Sequence, residues 1–181
     1  MGNEEFDLCM SRIRSGDKDA LHQIYNAYAG YLFHLVLAIV GSYEDAEDIT
    51  SNLFIRIWKQ ADRYIPGNGH RQWLSRIAHN AAIDHLRTAG REIPTDYTED
   101  PEKAGVPAPV QEDIAEEVVA SVTVEQILSR LKPSEREIVH LKIIGEQTFE
   151  RIAEILSMPL GTVTWRYRQA MNKLRRYGYE A

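Results

Sequence analysis

The chain has 181 residues, 44% of them hydrophobic and 27% charged, with a formal net charge of −6. That size suits one or two small domains, and the apolar fraction is ample for packed cores. The longest apolar stretch, Tyr31 to Val40, is interrupted by His34 and is too short to span a bilayer. The start MGNEEFDLCM lacks the basic and apolar regions of a secretory signal. The single cysteine, Cys9, excludes an internal disulfide and a Cys-rich zinc site and reads as a reduced thiol. The expectation is a soluble cytoplasmic protein with no membrane insertion.

The charge is unevenly spread. Residues 1–89 carry a net −2, residues 90–122 a net −7 and residues 123–181 a net +3. The acidity therefore sits in the middle, and an acidic average does not exclude a nucleic-acid partner, because contact depends on local charge.

In chain order, Asp17 caps a helix over roughly 18–40 that Gly41 ends. Ser42 with Asp45 forms a capping box, and Glu44, Asp45, Glu47 and Asp48 sit near the positive end of the next helix. That helix runs to about Gln60 and buries Ile49, Leu53 and Ile57 at 4-4 spacing. The run RYIPGNGH breaks the chain, and a third helix spans about 71–87 with Trp73, Ile77 and Ala81 on its apolar side. Residues 90–122 hold four of the seven prolines and mostly acidic charge, which predicts a linker, flexible over about 90–112, with an acidic helix starting near Gln111. Beyond it, Pro133-Ser134 with Glu137 predicts a capped helix ended by Gly145. Thr148 caps a short helix carrying Ile152, Ala153 and Leu156. Ser157-Met158-Pro159 turns the chain into a last helix from about Leu160 to Tyr177, burying Val163, Tyr167, Ala170 and Leu174. No segment alternates with period two. The fold class is all-α: two small helical domains, 1–89 and 123–181, joined by a flexible acidic linker, 90–122, the second holding a helix-turn-helix.

The last helix carries the most specific chemistry. Opposite Val163 lie Trp165, Arg168, Gln169, Asn172, Arg175 and Arg176, and from Leu160 to Tyr177 there are five cations and no acids. Such a face neutralises phosphate, and Arg and Gln can read base edges in a major groove. Dipole complementation alone would account for Lys173, Arg175 and Arg176 but leaves Trp165 unexplained. The third helix has its own polar stripe, Gln72, Arg76, Asn80, Asp84 and Arg87, beside Tyr64 and Trp73. Aromatics and amides next to cations can stack on and bond unpaired bases, although a solvated helix face gives the same pattern.

Three segments, DAEDITSNLFIRIW (45–58), RQWLSRIAHNAAIDHLR (71–87) and MPLGTVTWRYRQAMNKLR (158–175), together with GDKDALHQIY (16–25) and TFERIAEILSMPLGTV (148–163), resemble the extracytoplasmic-function (ECF) group of the sigma-70 family. These are bacterial RNA polymerase initiation factors built from two domains, named region 2 and region 4. The resemblance implies a polymerase-docking helix with Asp45, Glu47, Asp48, Ile49, Ser51, Asn52 and Phe54. Relatives usually carry Gln and an acid where this chain has Ser51 and Asn52, so charge-assisted docking should be weaker than usual. It also implies that Tyr64, Trp73, Arg76, Asn80 and Arg87 handle the downstream (−10) promoter element, where a base is flipped into a pocket. Relatives often follow the matching Leu-Arg with further arginines; here Arg87 leads into Thr88-Ala89-Gly90, which predicts low backbone affinity there. For the upstream (−35) element the resemblance implies Gly161, Thr162, Thr164, Trp165, Arg166, Arg168 and Gln169, with Thr162 and nearby amides suited to phosphate at a helix N-terminus. The Thr164-Trp165 pair replaces small or basic residues and predicts an unusual upstream sequence. In the family the linker threads near the active-site cleft, where acidic charge can mimic nucleic acid; a solvated tether is equally consistent with the sequence.

The implied partners are the bacterial RNA polymerase core and promoter DNA. Many members are also held inactive by an anti-sigma factor, which no motif here demands. No cofactor, metal, catalytic residue or small-molecule substrate is expected. Two rivals remain on sequence alone. A helix-turn-helix regulator with a ligand-sensing first domain explains the C-terminus but not the joint DAED, Trp73-Leu74 and Asn80 motifs. An enzyme would need the acidic cluster or His79, Asp84 and His85 as metal ligands, yet His79 and His85 lie about 240° apart around one helix, and no nucleophile or phosphate-loop motif occurs.

Overall fold

The computed structural model describes residues 1–90, 93–94, 97 and 124–176, and in them every regular element is helical. The order is α1 (Asn3–Arg14), α2 (Lys18–Val40), α3 (Tyr43–Lys59), a 3-10 turn (Ala61–Arg63), α4 (His70–Thr88), α5 (Val124–Ser129), α6 (Pro133–Ile143), α7 (Phe149–Leu156) and α8 (Leu160–Arg176). The acidic helix expected near Gln111 and nearly all of the linker lie outside the described residues.

The local signals act as read. The Asp17 carboxylate accepts from the Asp19 and Ala20 amides, Gly41 closes α2 at φ 70°, Ser42 Oγ accepts from the Asp45 amide, and Thr148 caps α7. Two elements escaped the sequence reading. One is α1, whose Phe6, Cys9, Met10 and Ile13 are buried against α2. The other is α5. Helix α6 starts where expected, but its acid partner differs: Glu135, not Glu137, bonds back to the Lys132 amide at 3.0 Å, and Glu137 is fully buried.

Helix α2 is the spine of the molecule. It is long and apolar enough to cross a membrane by length and composition, yet it packs against α1, α3, α4 and α6. Its apolar stripe, Ala20, Ile24, Tyr28, Leu32, Leu35, Val36 and Ile39, is buried in these contacts, while His22, Tyr25, Asn26 and His34 stay exposed. Helix α4 is buried along Leu74, Ala78, Ala81, Ala82 and Leu86; Ala81 is buried as expected, while Leu74 and Ala78 lie one position on from the expected Trp73 and Ile77. Trp73 and Ile77 sit at the margin of that stripe. The small alanines let α4 approach its neighbours closely, so the bulkiest residues are not the deepest.

The two helical modules do not stand apart. One contiguous core runs from Phe6 through Leu86 into Ile138, Leu141, Ile152, Ile155 and Val163. A smaller cluster, Leu131, Val139, Ala170, Met171 and Leu174, ties α6 to α8 within the second module. At the seam, Tyr31 stacks on His140 at 5.3 Å between ring centroids. The Tyr31 hydroxyl is 2.7 Å from Ser75 Oγ, which donates to the Arg71 carbonyl.

Candidate polymerase and nucleic-acid interfaces

Helix α3 splits its expected docking residues by depth. Glu47, Asp48, Ser51 and Asn52 are exposed, whereas Ile49 and Phe54 are buried and serve to seat the helix. Phe54 meets Tyr25 of α2 at 4.7 Å between ring centroids, and Ile49 also lines the groove between α3 and α4. Asp45 is half-buried with its carboxylate 3.2 Å from His85 Nε2. Beside it, a groove between α3 and α4 is lined by Asn52, Ile55, Arg56, Lys59, Asp84 and His85. Ile55, half exposed at 52%, was missed by the sequence reading. An apolar side chain off the core spacing and flanked by polar neighbours was the available signal.

On α4 the polar stripe divides into two halves. Asn80, Asp84 and Arg87 face solvent. The N-terminal half is met by the second module: Gln72 Nε2 donates to Glu154 at 2.6 Å, Arg76 lies 3.8 Å from the same carboxylate, and Arg71 pairs with Glu146 at 3.0 Å. His79 Nδ1 lies 2.9 Å from the buried Glu137 carboxylate, which also accepts the Tyr97 hydroxyl at 2.6 Å. Burial alone would pull the His79 pKa down, but the Glu137 charge and hydrogen bond override it and hold it above its ordinary value.

Tyr64 departs from its expected place at an open base pocket. It is buried, its hydroxyl donates to Asp7, and its ring meets Phe6 and Trp73 edge-on at 5.3 and 5.1 Å. The reason is α1, which lies over the loop and also sends Arg14 to the Ala61 and Tyr64 carbonyls. The exposed part of this loop is Ile65 to Asn68. Nearby His70 is buried between Tyr28 and Asn3, and burial lowers its pKa to about 4.

The helix-turn-helix comprises α7, a turn through Ser157 at φ 53°, and α8. Gly161 and Arg168 are exposed, Trp165, Gln169 and Thr164 half-buried, and the Thr164 hydroxyl bonds the Gly161 carbonyl. Thr162 and Arg166 are buried, and Arg166 Nη1 donates to Ser134 Oγ at 2.5 Å. Arg166 is thus held away from the exposed face of α8 in this structure. At 100° per residue it falls about 60° from Val163, on the core side, where it joins α8 to α6. Lys173 braces the same pair of helices through Glu135 at 2.8 Å. Among the described residues no cluster of His, Cys, Asp or Glu could hold a metal ion.

Comparison with known proteins agrees with this layout. A family model described as Sigma-70 region 2 matches residues 24–92, and one described as Sigma-70, region 4 matches residues 127–176. The ECF RNA polymerase sigma factor SigW of Bacillus subtilis is 30% identical over 178 residues, covering 92% of this chain and 93% of that one. A solved structure of CnrH, in complex with the cytosolic domain of CnrY, shares the fold at a TM-score of 0.64 and 21% identity, over 96% of both chains. A second, the sigma factor RpoE in complex with the anti-sigma factor NepR from Bartonella quintana, matches at 0.62 and 19% identity, over 86% of this chain and 94% of the other. With both domain matches, a full-length relative and the two helical modules in the right order, the chain belongs to the ECF group of sigma-70 RNA polymerase sigma factors and serves transcription initiation.

Proposed function

We propose that the chain docks on the bacterial RNA polymerase core through the exposed acids and amide of α3. In the same reading the α4 stripe with its preceding loop engages the −10 element, and α8 engages the −35 element. The carrying observation is the placement of three chemically distinct exposed faces: Glu47, Asp48 and Asn52 on α3; Asn80 and Arg87 on α4; and Gly161, Arg168 and Arg175 on α8. An acidic face suits a basic protein surface, and cationic and amide faces suit nucleic acid. Its role is binding rather than covalent chemistry, and its place of work is the cytoplasm, where polymerase and promoter are. An anti-sigma protein is a third partner in this reading, supported by the CnrH and RpoE complexes. Run-off transcription with purified core on a random promoter pool tests the proposal. Start-site selectivity conferred by the chain is expected, and unchanged initiation by core would refute it.

A further inference from the structure

The loop that precedes α4 is held by its ends. Residues 65–68 are exposed, and Gly67 and Gly69 both take a left-handed φ of 82°. No hydrogen bond joins residues 65–68 to a described residue outside the loop. A segment this rich in glycine has little shape of its own, so its path is set where it is attached. Both attachments are made by α1. At the near end Arg14 forks onto two backbone carbonyls, Ala61 from Nε at 3.0 Å and Tyr64 from Nη2 at 2.5 Å, and Asp7 accepts the Tyr64 hydroxyl. At the far end Asn3 Oδ1 lies 2.6 Å from His70 Nδ1. The fully buried Phe6 ring stacks on His70 at 4.6 Å and meets Tyr64 edge-on at 5.3 Å, so one side chain touches both ends. Helix α1 lies ahead of the stretch matched to region 2, which begins at residue 24.

We propose that Arg14 and Asp7 are positioning residues for promoter recognition. Helix α1 touches no base; its clamp fixes the span and direction of the loop, and through the loop which base of the −10 element is accepted. The inference rests on reading this loop as part of the −10 interface. An extruded base is held by contacts already in place. A loop released at one end must be ordered anew at each binding event, and it no longer rejects the wrong base. Tyr64, whose ring the fold withdraws from solvent, serves as the handle by which α1 holds the loop. A guanidinium that met DNA itself would act differently. Phosphate contacts weaken binding uniformly across sequences, whereas a displaced reading loop changes the preference among them.

In the test, the full chain with purified core polymerase selects promoters from a pool randomised at both elements. Fluorescein-labelled single-stranded DNA of the selected downstream sequence, with each base then changed in turn, gives the discrimination by anisotropy. The variants are Arg14→Ala, Asp7→Ala and Asp7→Asn, with Lys18→Ala as an exposed cation away from the loop. Arg14→Ala and Asp7→Ala should lower discrimination at a downstream position roughly three- to tenfold, the range for one or two charge-assisted bonds, and leave the upstream preference as in the parent. Asp7→Asn keeps an acceptor for the Tyr64 hydroxyl and should stay within about twofold of the parent, as should Lys18→Ala. Should Arg14→Ala fail to fold, Arg14→Lys, which keeps the charge but cannot fork onto two carbonyls, should lower discrimination about two- to threefold. Equal weakening on all sequences, parental discrimination in either alanine variant, an Asp7→Asn variant as relaxed as Asp7→Ala, or an upstream preference that shifts as well each overturns the inference while the parent keeps its downstream selectivity. A parent without downstream selectivity overturns the promoter-binding reading, and the inference with it.

Discussion

Replacing Glu137 with Gln removes one charge from the seam while keeping its shape. Glu137 is completely buried and His79 is 11% exposed, so neither partner can turn to water without separating the modules. The carboxylate is what holds the His79 pKa above its ordinary value, against burial. A base whose pKa is raised by folding contributes stability below its unfolded pKa, near 6.5, and loses it as pH rises through the folded value. In Glu137→Gln only burial remains, so the His79 pKa should fall below 6.5. A charge-assisted hydrogen bond is worth about 1.5–3 kcal/mol, and Gln still accepts the Tyr97 hydroxyl. The variant should therefore lose about 1.5–3 kcal/mol at pH 6 and distinctly less at pH 8. Imidazole NMR titration and urea unfolding at both pH values measure the two quantities. A parent His79 titrating at or below 6.5, or equal losses at pH 6 and pH 8, would refute the reasoning.

Other outcomes follow from the same geometry. Arg166→Ala should destabilise the second module by about 1.5–3 kcal/mol through the lost Ser134 contact. Arg168→Ala should leave the melting temperature unchanged and weaken upstream-element binding in a gel-shift titration. On the acid side, His140, pushed down to about 4 mainly by burial against Tyr31, contributes stability above pH 6.5 that is lost as pH falls from 6.5 through 4. That loss is on the order of 3 kcal/mol, should be seen in unfolding at pH 6.5, 5 and 4, and should shrink in His140→Phe. The double change Ser51→Gln and Asn52→Glu should tighten core polymerase binding, and a flat affinity titration would count against weakened docking. Trp165→Ser should alter the upstream sequence selected from a random promoter library; identical preferences would remove Trp165 from recognition.

Local chemistry made much of this protein legible before its fold was known. Asp17, Gly41, Ser42 and Thr148 fix helix ends through bonds to amides two or three residues away or through a left-handed backbone, so neighbouring residues suffice to reveal them. The apolar spacing of Ile49, Leu53 and Ile57 likewise identifies a buried face, and the order of the motifs identifies the family. Tertiary contacts decided the rest. Helix α1 lacks a strong start signal, yet it buries Tyr64 and so closes the face expected to stack on a base. Arg166 and Glu137 read as surface and capping residues because charge in a sequence defaults to water. Each is drawn inward by a partner distant in the chain, Ser134 in one case and His79 with Tyr97 in the other. At the seam between the modules, Glu137, Glu146 and Glu154 meet four donors of α4 more than fifty residues away. No periodicity encodes such a meeting, because it is set by how two finished surfaces fit.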